Sequence, residues 1–137
     1  MGVRLVDRAI HGSFGKVYID GLWEANFNGL EAKVEMEKIP LKLAGDPWTR
    51  HKRGNLKGTF TISGLKMTSK MIQKGFDDFE IISKLDDPEA YGHERIRLKN
   101  CIVDNLGLAG WKAGENVEEE IPGTFEEYEL LDPIEED

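Results

Sequence analysis

The sequence predicts a mainly β fold: a β-sandwich or small barrel of antiparallel strands with one short flanking α-helix and a long hairpin loop. Three observations carry this reading. Residues 31–37 alternate Ala32, Val34 and Met36 with Glu31, Lys33, Glu35 and Glu37, and residues 55–64 alternate Leu56, Phe60 and Ile62 with Lys57, Thr59, Thr61 and Ser63. That period of two belongs to a strand with one wet face. Similar alternating segments recur along a chain punctuated by 15 glycines, as in all-β domains. Helical character is confined to residues 68–75.

Taken in order, residues 1–13 form an arm anchored only by Leu5, Val6 and Ile10, expected to order when something packs against it. Residues 15–19 are the first strand, and Asp20-Gly21 is the dipeptide of a tight hairpin turn into a return strand over 22–27. Asn28-Gly29 then marks a bulge or turn before the hairpin of residues 30–64. Its connection, residues 40–54, far exceeds the two to five residues typical of hairpin loops, so it is expected to reach for something. The loop carries Leu41, Leu43, Trp48, Arg50, His51, Lys52 and Arg53. Trp and Arg are favoured at protein interfaces, which makes this a subunit-interface loop. Folding back of Trp48 into a groove and stacking of Trp48 on nucleotide bases are the alternatives.

The helix is capped by Thr68 or Ser69 and stopped by Gly75, with Met71, Ile72 and Met67 covering a sheet edge or face. Residues 79–85 are the next strand, 86–92 a turn-rich loop and 94–103 another strand. The basic side of that last strand, Arg95, Arg97 and Lys99, is expected to offset the acids of the hairpin's polar face. Strands over 115–121 and 124–130 are separated by Pro122-Gly123, read as a bulge, kink or edge. Residues 132–137 are expected to fray.

A chain of 137 residues with 39% hydrophobic content suits one domain, residues 1–137. Its one cysteine, Cys101, lies in a strand and reads as a small buried hydrophobe, with nothing to indicate an oxidising compartment. Neither a signal-like N-terminus nor an apolar run of membrane-spanning length occurs, so the expectation is a protein made and kept in cytoplasm unless a machine carries it out. The net charge of −8 is unevenly spread: residues 42–74 hold eight Lys/Arg and one acid, whereas residues 115–137 hold eleven acids and no base. Such polarity fits either a solvated face with an acidic tail or two complementary patches for head-to-tail association. Overall acidity opposes nonspecific binding to nucleic acid.

No chemistry emerges. His11, His51 and His93 fall in separate loops without short metal spacing. No Gly-rich loop opens a helix to cradle phosphate. Asp86, Asp87, Glu89 and Glu94 could offer oxygens to calcium, but the spacing and glycine of an EF-hand are missing. No catalytic, cofactor-binding or metal residue is therefore assigned, and the chain is read as a non-enzyme. The rival to a self-assembling subunit is a monomeric β-barrel holding a small ligand in its interior.

Four segments carry a family likeness: residues 15–21 (GKVYIDG), 68–70 (TSK), 85–96 (LDDPEAYGHERI) and 118–128 (EEEIPGTFEEY). In this order and spacing, from about Gly12 to Leu131, the chain resembles the tail tube proteins of contractile phages and phage-like elements, including the defective prophage of bacilli and the R-type tailocins of clostridia. The resemblance implies hexameric rings stacked into a tube with a continuous β-barrel wall, related in fold to the tube of type VI secretion systems. It implies a lumen lined by Glu31, Lys33, Glu35, Glu37, Lys57, Thr59, Thr61 and Ser63, and a loop over 40–54 reaching an adjacent subunit or ring. The implied partners are the chain itself and the sheath, baseplate and tape-measure proteins, with DNA passing passively. The implied location is a virion tail or tailocin particle assembled in bacterial cytoplasm.

Overall fold

The computed structural model describes residues 4–135, so residues 1–3 of the predicted arm and 136–137 of the predicted tail lie outside the described residues. The strands are β1 (Gly15–Ile19), β2 (Leu22–Trp23), β3 (Phe27–Leu41), β4 (Arg50–Leu65), β5 (Phe79–Leu85), β6 (Glu94–Val103), β7 (Glu118–Phe125) and β8 (Glu127–Asp132). Among the described residues the one α-helix, α1, is Lys70–Lys74. All strands pair antiparallel in one sheet, ordered β2-β1-β5-β6-β7-β4-β3, with β8 added alongside β6. The mainly β class is as the alternation requires, but β2 and β3 end the sheet without joining, so no closed barrel forms.

β6 is the seam on which the sheet bends. One side pairs with β5 along most of its length; the other pairs first with β8 from Arg95 to Lys99, then with β7 at Ile102 and Val103. β6 advances three residues from Leu98 to Cys101 while β5 advances two from Ile81 to Phe79, and Asn100 within this step takes φ of 54°. This bulge lets Leu98, Cys101 and Val103 all face inward although their numbers change parity. They join Val17, Ile19, Phe27, Phe60, Ile62, Phe79, Ile81, Ile121, Phe125 and Met71 of α1 in the buried core. Phe60 and Phe79 meet edge to face at 6.0 Å. Cys101 is fully buried, as read from sequence; its Sγ–H donates to the Leu98 carbonyl at 3.4 Å, and burial pushes the thiol up to about 12.

Asp20 and Gly21, with φ of 51° and 84°, make the expected tight turn. Asp20 also accepts the Glu80 N–H at 3.0 Å and pairs with Lys74 at the end of α1. The return strand is shorter than predicted, because the chain turns over Glu24, whose carbonyl receives the Phe27 N–H at 3.2 Å, and Phe27 already belongs to β3. Met71 of α1 is buried as expected, but Met67, ahead of the helix, is 70% exposed.

Three further expectations require correction. The bases on β6 do not face the hairpin acids: Arg97 pairs with Glu80 at 2.6 Å and Glu129 at 3.9 Å, Lys99 with Glu129 at 3.4 Å, and Arg95 with Asp132 at 3.2 Å. Their partners sit on β5 and β8, which flank β6. Asp132 accordingly ends a strand instead of starting a frayed tail. The break between the last two strands falls at Glu126, and β7 runs through Pro122-Gly123. Proline is tolerated there because the Pro122 carbonyl accepts the Asp104 N–H at 2.8 Å on the side facing β6, whose ladder stops one residue away at Val103 paired with Gly123. Its nitrogen, on that same side, lies past the last ladder pair, so the missing N–H interrupts no further pairing with β6.

The arm over residues 4–14 forms two short 3-10 turns, Leu5–Arg8 and Gly12–Phe14. Asp87, weighed above as a calcium ligand, instead accepts backbone N–H groups from Glu89 at 3.0 Å and His11 at 3.1 Å. Those donors, Glu89 first, hold its carboxyl below the usual carboxylate range. Arg8 donates to the Glu89 carbonyl at 3.0 Å and lies 5.0 Å from the Tyr91 ring.

Two outcomes follow. At Gly123 an added Cβ would come within 2.4 Å of the Ile102 carbonyl and the Phe60 ring, while at Gly107 it would meet nothing within 4 Å. Gly123→Ala is therefore expected to lose about 1–3 kcal/mol in urea unfolding, with Gly107→Ala close to neutral. Because the Asp87 carboxylate is favoured in the folded chain, its tether is present above the ordinary aspartate pKa of about 3.9 and lost as pH falls below it. Trypsin at neutral pH should cut at Arg4 and Arg8 faster in Asp87→Ala than in the parent, and equal rates would dismiss the tether.

Candidate subunit interface and conduit surface

The β3–β4 hairpin positions every residue singled out for assembly. Cα partners Glu31–Thr61, Lys33–Thr59 and Glu35–Lys57 put the predicted polar residues on one face, and Ala32–Phe60, Val34–Gly58 and Met36–Leu56 put the apolar set on the other. Ser63 lies across from Gly29, its hydroxyl 2.5 Å from where a Cβ at residue 29 would sit. Lys33 binds Glu35 at 3.1 Å, which raises the lysine pKa. The polar face extends further than the sequence indicated, because β7 pairs Thr124 with Thr59, Pro122 with Thr61, Glu120 with Ser63 and Glu118 with Leu65. Reading Pro122-Gly123 as a break hid this alternation on β7. Short of the hairpin tip, carboxylates dominate the combined face: Glu31, Glu35, Glu37, Glu118 and Glu120 against Lys33 and Lys57.

The connection is shorter than residues 40–54. Pro40 pairs with His51 and Leu41 with Arg50, leaving residues 42–49 as the loop and placing Arg50, His51, Lys52 and Arg53 on β4. The extra length comes from a register shift between Met36 and Lys38, where β4 advances from Leu56 to Arg53 while β3 advances two residues. This bulge at Gly54 and Asn55 splits the basic cluster: Arg53 and His51 continue the Leu56 face, and Lys52 and Arg50 the Lys57 face. Asp46 shapes the tip, accepting the Trp48 N–H and Arg50 Nε, each at 2.9 Å, and these bonds hold its carboxyl low. Trp48 and Leu43 are 71% and 57% exposed, so Trp48 does not fold back into a groove of its own subunit.

β7 covers only Gly58 to Leu65 of β4, so residues 50–57 and their β3 partners project as a two-stranded ribbon. Its core-facing side continues outward uncovered: Val34 is 40%, Met36 43% and Leu56 63% exposed. At its root, Val34, Leu56, Gly58, Phe125 and Tyr128 line an open groove of about 410 Å³. Isolated two-stranded ribbons are marginal in water, and this one keeps one free edge on β4 and another along β3. The inside of the fold is filled by Ile62, Ile81, Cys101 and their neighbours, which leaves the ligand-binding barrel no interior.

His11, His51 and His93 stand apart: His11 caps the turn before β1 through Nδ1 and the Ser13 N–H, His51 lies on the ribbon, and His93 meets Asp132 at 3.2 Å. Among the described residues no three His, Cys, Asp or Glu side chains are placed to hold a metal, and no helix is long and apolar enough to cross a membrane.

An open antiparallel sheet bearing a projecting ribbon and unpaired edges defines a protein whose surface invites strand-to-strand assembly. Solved structures share the fold. A tube-and-sheath complex of an extracellular contractile injection system aligns over 92% of this chain and 93% of its own with TM-score 0.74 and 11% identity. The tube-terminating cap of an anti-feeding prophage aligns over 96% and 94% with TM-score 0.73 and 11% identity. A chain of a gene transfer agent virion aligns over 90% and 100% with TM-score 0.67 and 13% identity. In sequence, the phage-like element PBSX protein XkdM and the uncharacterized protein YqbM, both of Bacillus subtilis strain 168, are each 32% identical over 135 residues, covering 91% of this chain and 92% of theirs. The family described as phage tail tube protein matches residues 4–132, and the chain belongs to that family. It is a structural tail component, not an enzyme.

Proposed function

We propose that this chain assembles into hexameric rings that stack as the inner tube of a contractile phage tail or phage-like particle. The observation that carries the reading is the ribbon of residues 34–57, whose apolar side and edges stand open in the single chain. A neighbour laid against the ribbon covers Val34, Met36 and Leu56 and pairs the free edge of β4, so closure that one subunit lacks is supplied by the ring. Burying a Val, Leu or Met side chain contributes about 1.5–3 kcal/mol.

With the apolar side turned to a neighbour, the opposite face lines the lumen. Its lining is Glu31, Lys33, Glu35, Glu37, Lys57, Thr59, Thr61 and Ser63, extended by Glu118, Glu120 and Thr124. The acid excess repels the phosphates of passing DNA, so the wall guides without binding. The sheath and baseplate contact the outside and ends of the tube, and a tape-measure protein sets its length. Assembly takes place in bacterial cytoplasm, and the finished tube serves when a contracting sheath drives it through an envelope.

Electron microscopy and light scattering of purified protein test this. The parent chain should form rings or hollow tubes. The Arg50→Glu, Lys52→Glu, Arg53→Glu variant should remain folded by circular dichroism yet fail to form tubes. Leu56→Ser, at a position 63% exposed in the single chain, should change unfolding free energy by less than about 0.5 kcal/mol while weakening assembly. Normal tubes from both variants would refute the ribbon as the assembling element.

A further inference from the structure

β4 is sixteen residues long, about 50 Å, and its two ends carry opposite surfaces. At the start, exposed Leu43 and Trp48 stand among Lys42, Lys52 and Arg53, which find no acid partner among the described residues; Arg50 alone is paired, with Asp46. At the far end, Leu65 pairs with Glu118, and the Lys66 N–H donates to the Val117 carbonyl at 2.9 Å. Here the loop of residues 104–117, joining β6 to β7, leaves Leu108 71% and Trp111 77% exposed. Trp111, Lys112, Glu115 and Glu118 line one hollow, and Glu118, Glu119 and Glu120 line a second, of about 410 Å³, with Asn28 and Gly64.

The acids of this end differ from those of β8. Glu127, Glu129 and Asp132 are already paired with Arg95, Arg97 and Lys99, whereas Glu115, Glu118 and Glu120 are exposed and make no ion pair among the described residues. Internal pairing thus leaves Glu115, Glu118 and Glu120 as free negative charge at the Trp111 end, opposite the free positive charge at the hairpin tip. Each end sets an exposed Trp and Leu among charges of which one sign predominates, bases at the tip and, Lys112 apart, acids at the Trp111 end, the composition of an interface core with a charged rim.

We infer that the surface formed by Leu108, Trp111, Glu115, Glu118 and Glu120 is the seat for the hairpin tip of a second copy of this chain. This rests on the proposal above that the ribbon assembles with other copies of the chain, and it names where the ribbon's tip docks. Because the two surfaces differ and lie at opposite ends of one strand, the contact is head to tail and leaves a free tip and a free seat after every addition. Made end to end, the contact propagates along the strand axis as a stack. Charge pairing sets the direction of addition, since tip on tip and seat on seat juxtapose like charges.

Light scattering across a concentration series at low salt, with electron microscopy, tests the seat on four chains. The tip reversal is Lys52→Glu with Arg53→Glu, the seat reversal Glu118→Lys with Glu120→Lys; a third chain carries both, and a fourth is Trp111→Ala. Each single reversal, and Trp111→Ala, should raise the concentration for half-assembly at least about tenfold. The doubly reversed chain should recover to within about threefold of the parent. Melting temperatures near that of the parent establish that each variant folds; any that does not is replaced by Gln at the acids or Ala at the bases, with a smaller shift in the same direction. If the tip reversal blocks assembly while the seat reversal and Trp111→Ala do not, the tip docks elsewhere and the seat is overturned, with the tube reading intact. If the tip reversal also assembles normally, or the parent never associates, the docking of the tip itself is overturned.

Discussion

One mismatch of length governs this molecule: β4 has sixteen residues and β7 covers only the stretch from Gly58 to Leu65. On the covered half, side chains on the inner face of β4, Phe60 and Ile62, are buried by β7, β5 and α1. On the other half the same pattern runs on with nothing above it, and Leu56 is left wet. Backbone pairing with β3 satisfies one edge and leaves the other open. A chain that folds this way holds an apolar face and a free edge in a rigid ribbon, a poor arrangement for a solitary protein and a suitable one for a subunit.

The body of the fold is arranged to hold that ribbon firmly. Gly58 and Gly123 have no side chain because the Phe125 and Phe60 rings occupy the space a Cβ would need, so β4 and β7 close tightly on the core at the ribbon's root. The bulge in β6 at Asn100 turns three inward side chains onto one seam, letting the sheet bend without closing. Charge is managed along with packing. The bases of β6 are neutralised by Glu80 of β5 and by Glu127, Glu129 and Asp132 of β8, while the hairpin tip and the Trp111 end keep unpaired charges.

Family membership and the open ribbon answer different questions. Membership makes the chain a tail tube component. The ribbon supplies a physical reason why such a component assembles: surface that one copy cannot cover can be covered by another. The distant structural relatives, at 11% to 13% identity, share the fold, so most of its particular side chains can differ without changing it.

The sequence by itself determined the strands and their faces wherever polar and apolar residues alternate, since a period of two leaves one choice of inside and outside. Residues 79–85 and 94–103, the Asp20-Gly21 turn, the stop at Gly75 and the two faces around Val34 and Leu56 were legible for that reason. Tertiary structure decided what local pattern cannot carry. The tip of the hairpin looked like loop because Pro40 and a run of four basic residues mask strand propensity, yet cross-strand pairing with β3 extends the ladder to Leu41 and Arg50. Pro122 looked like a break because its tolerance depends on where a neighbouring strand ends. The partners of Arg95, Arg97 and Lys99 could not be read at all, because an ion pair is fixed by which strands lie side by side, and strand order is a property of the folded sheet.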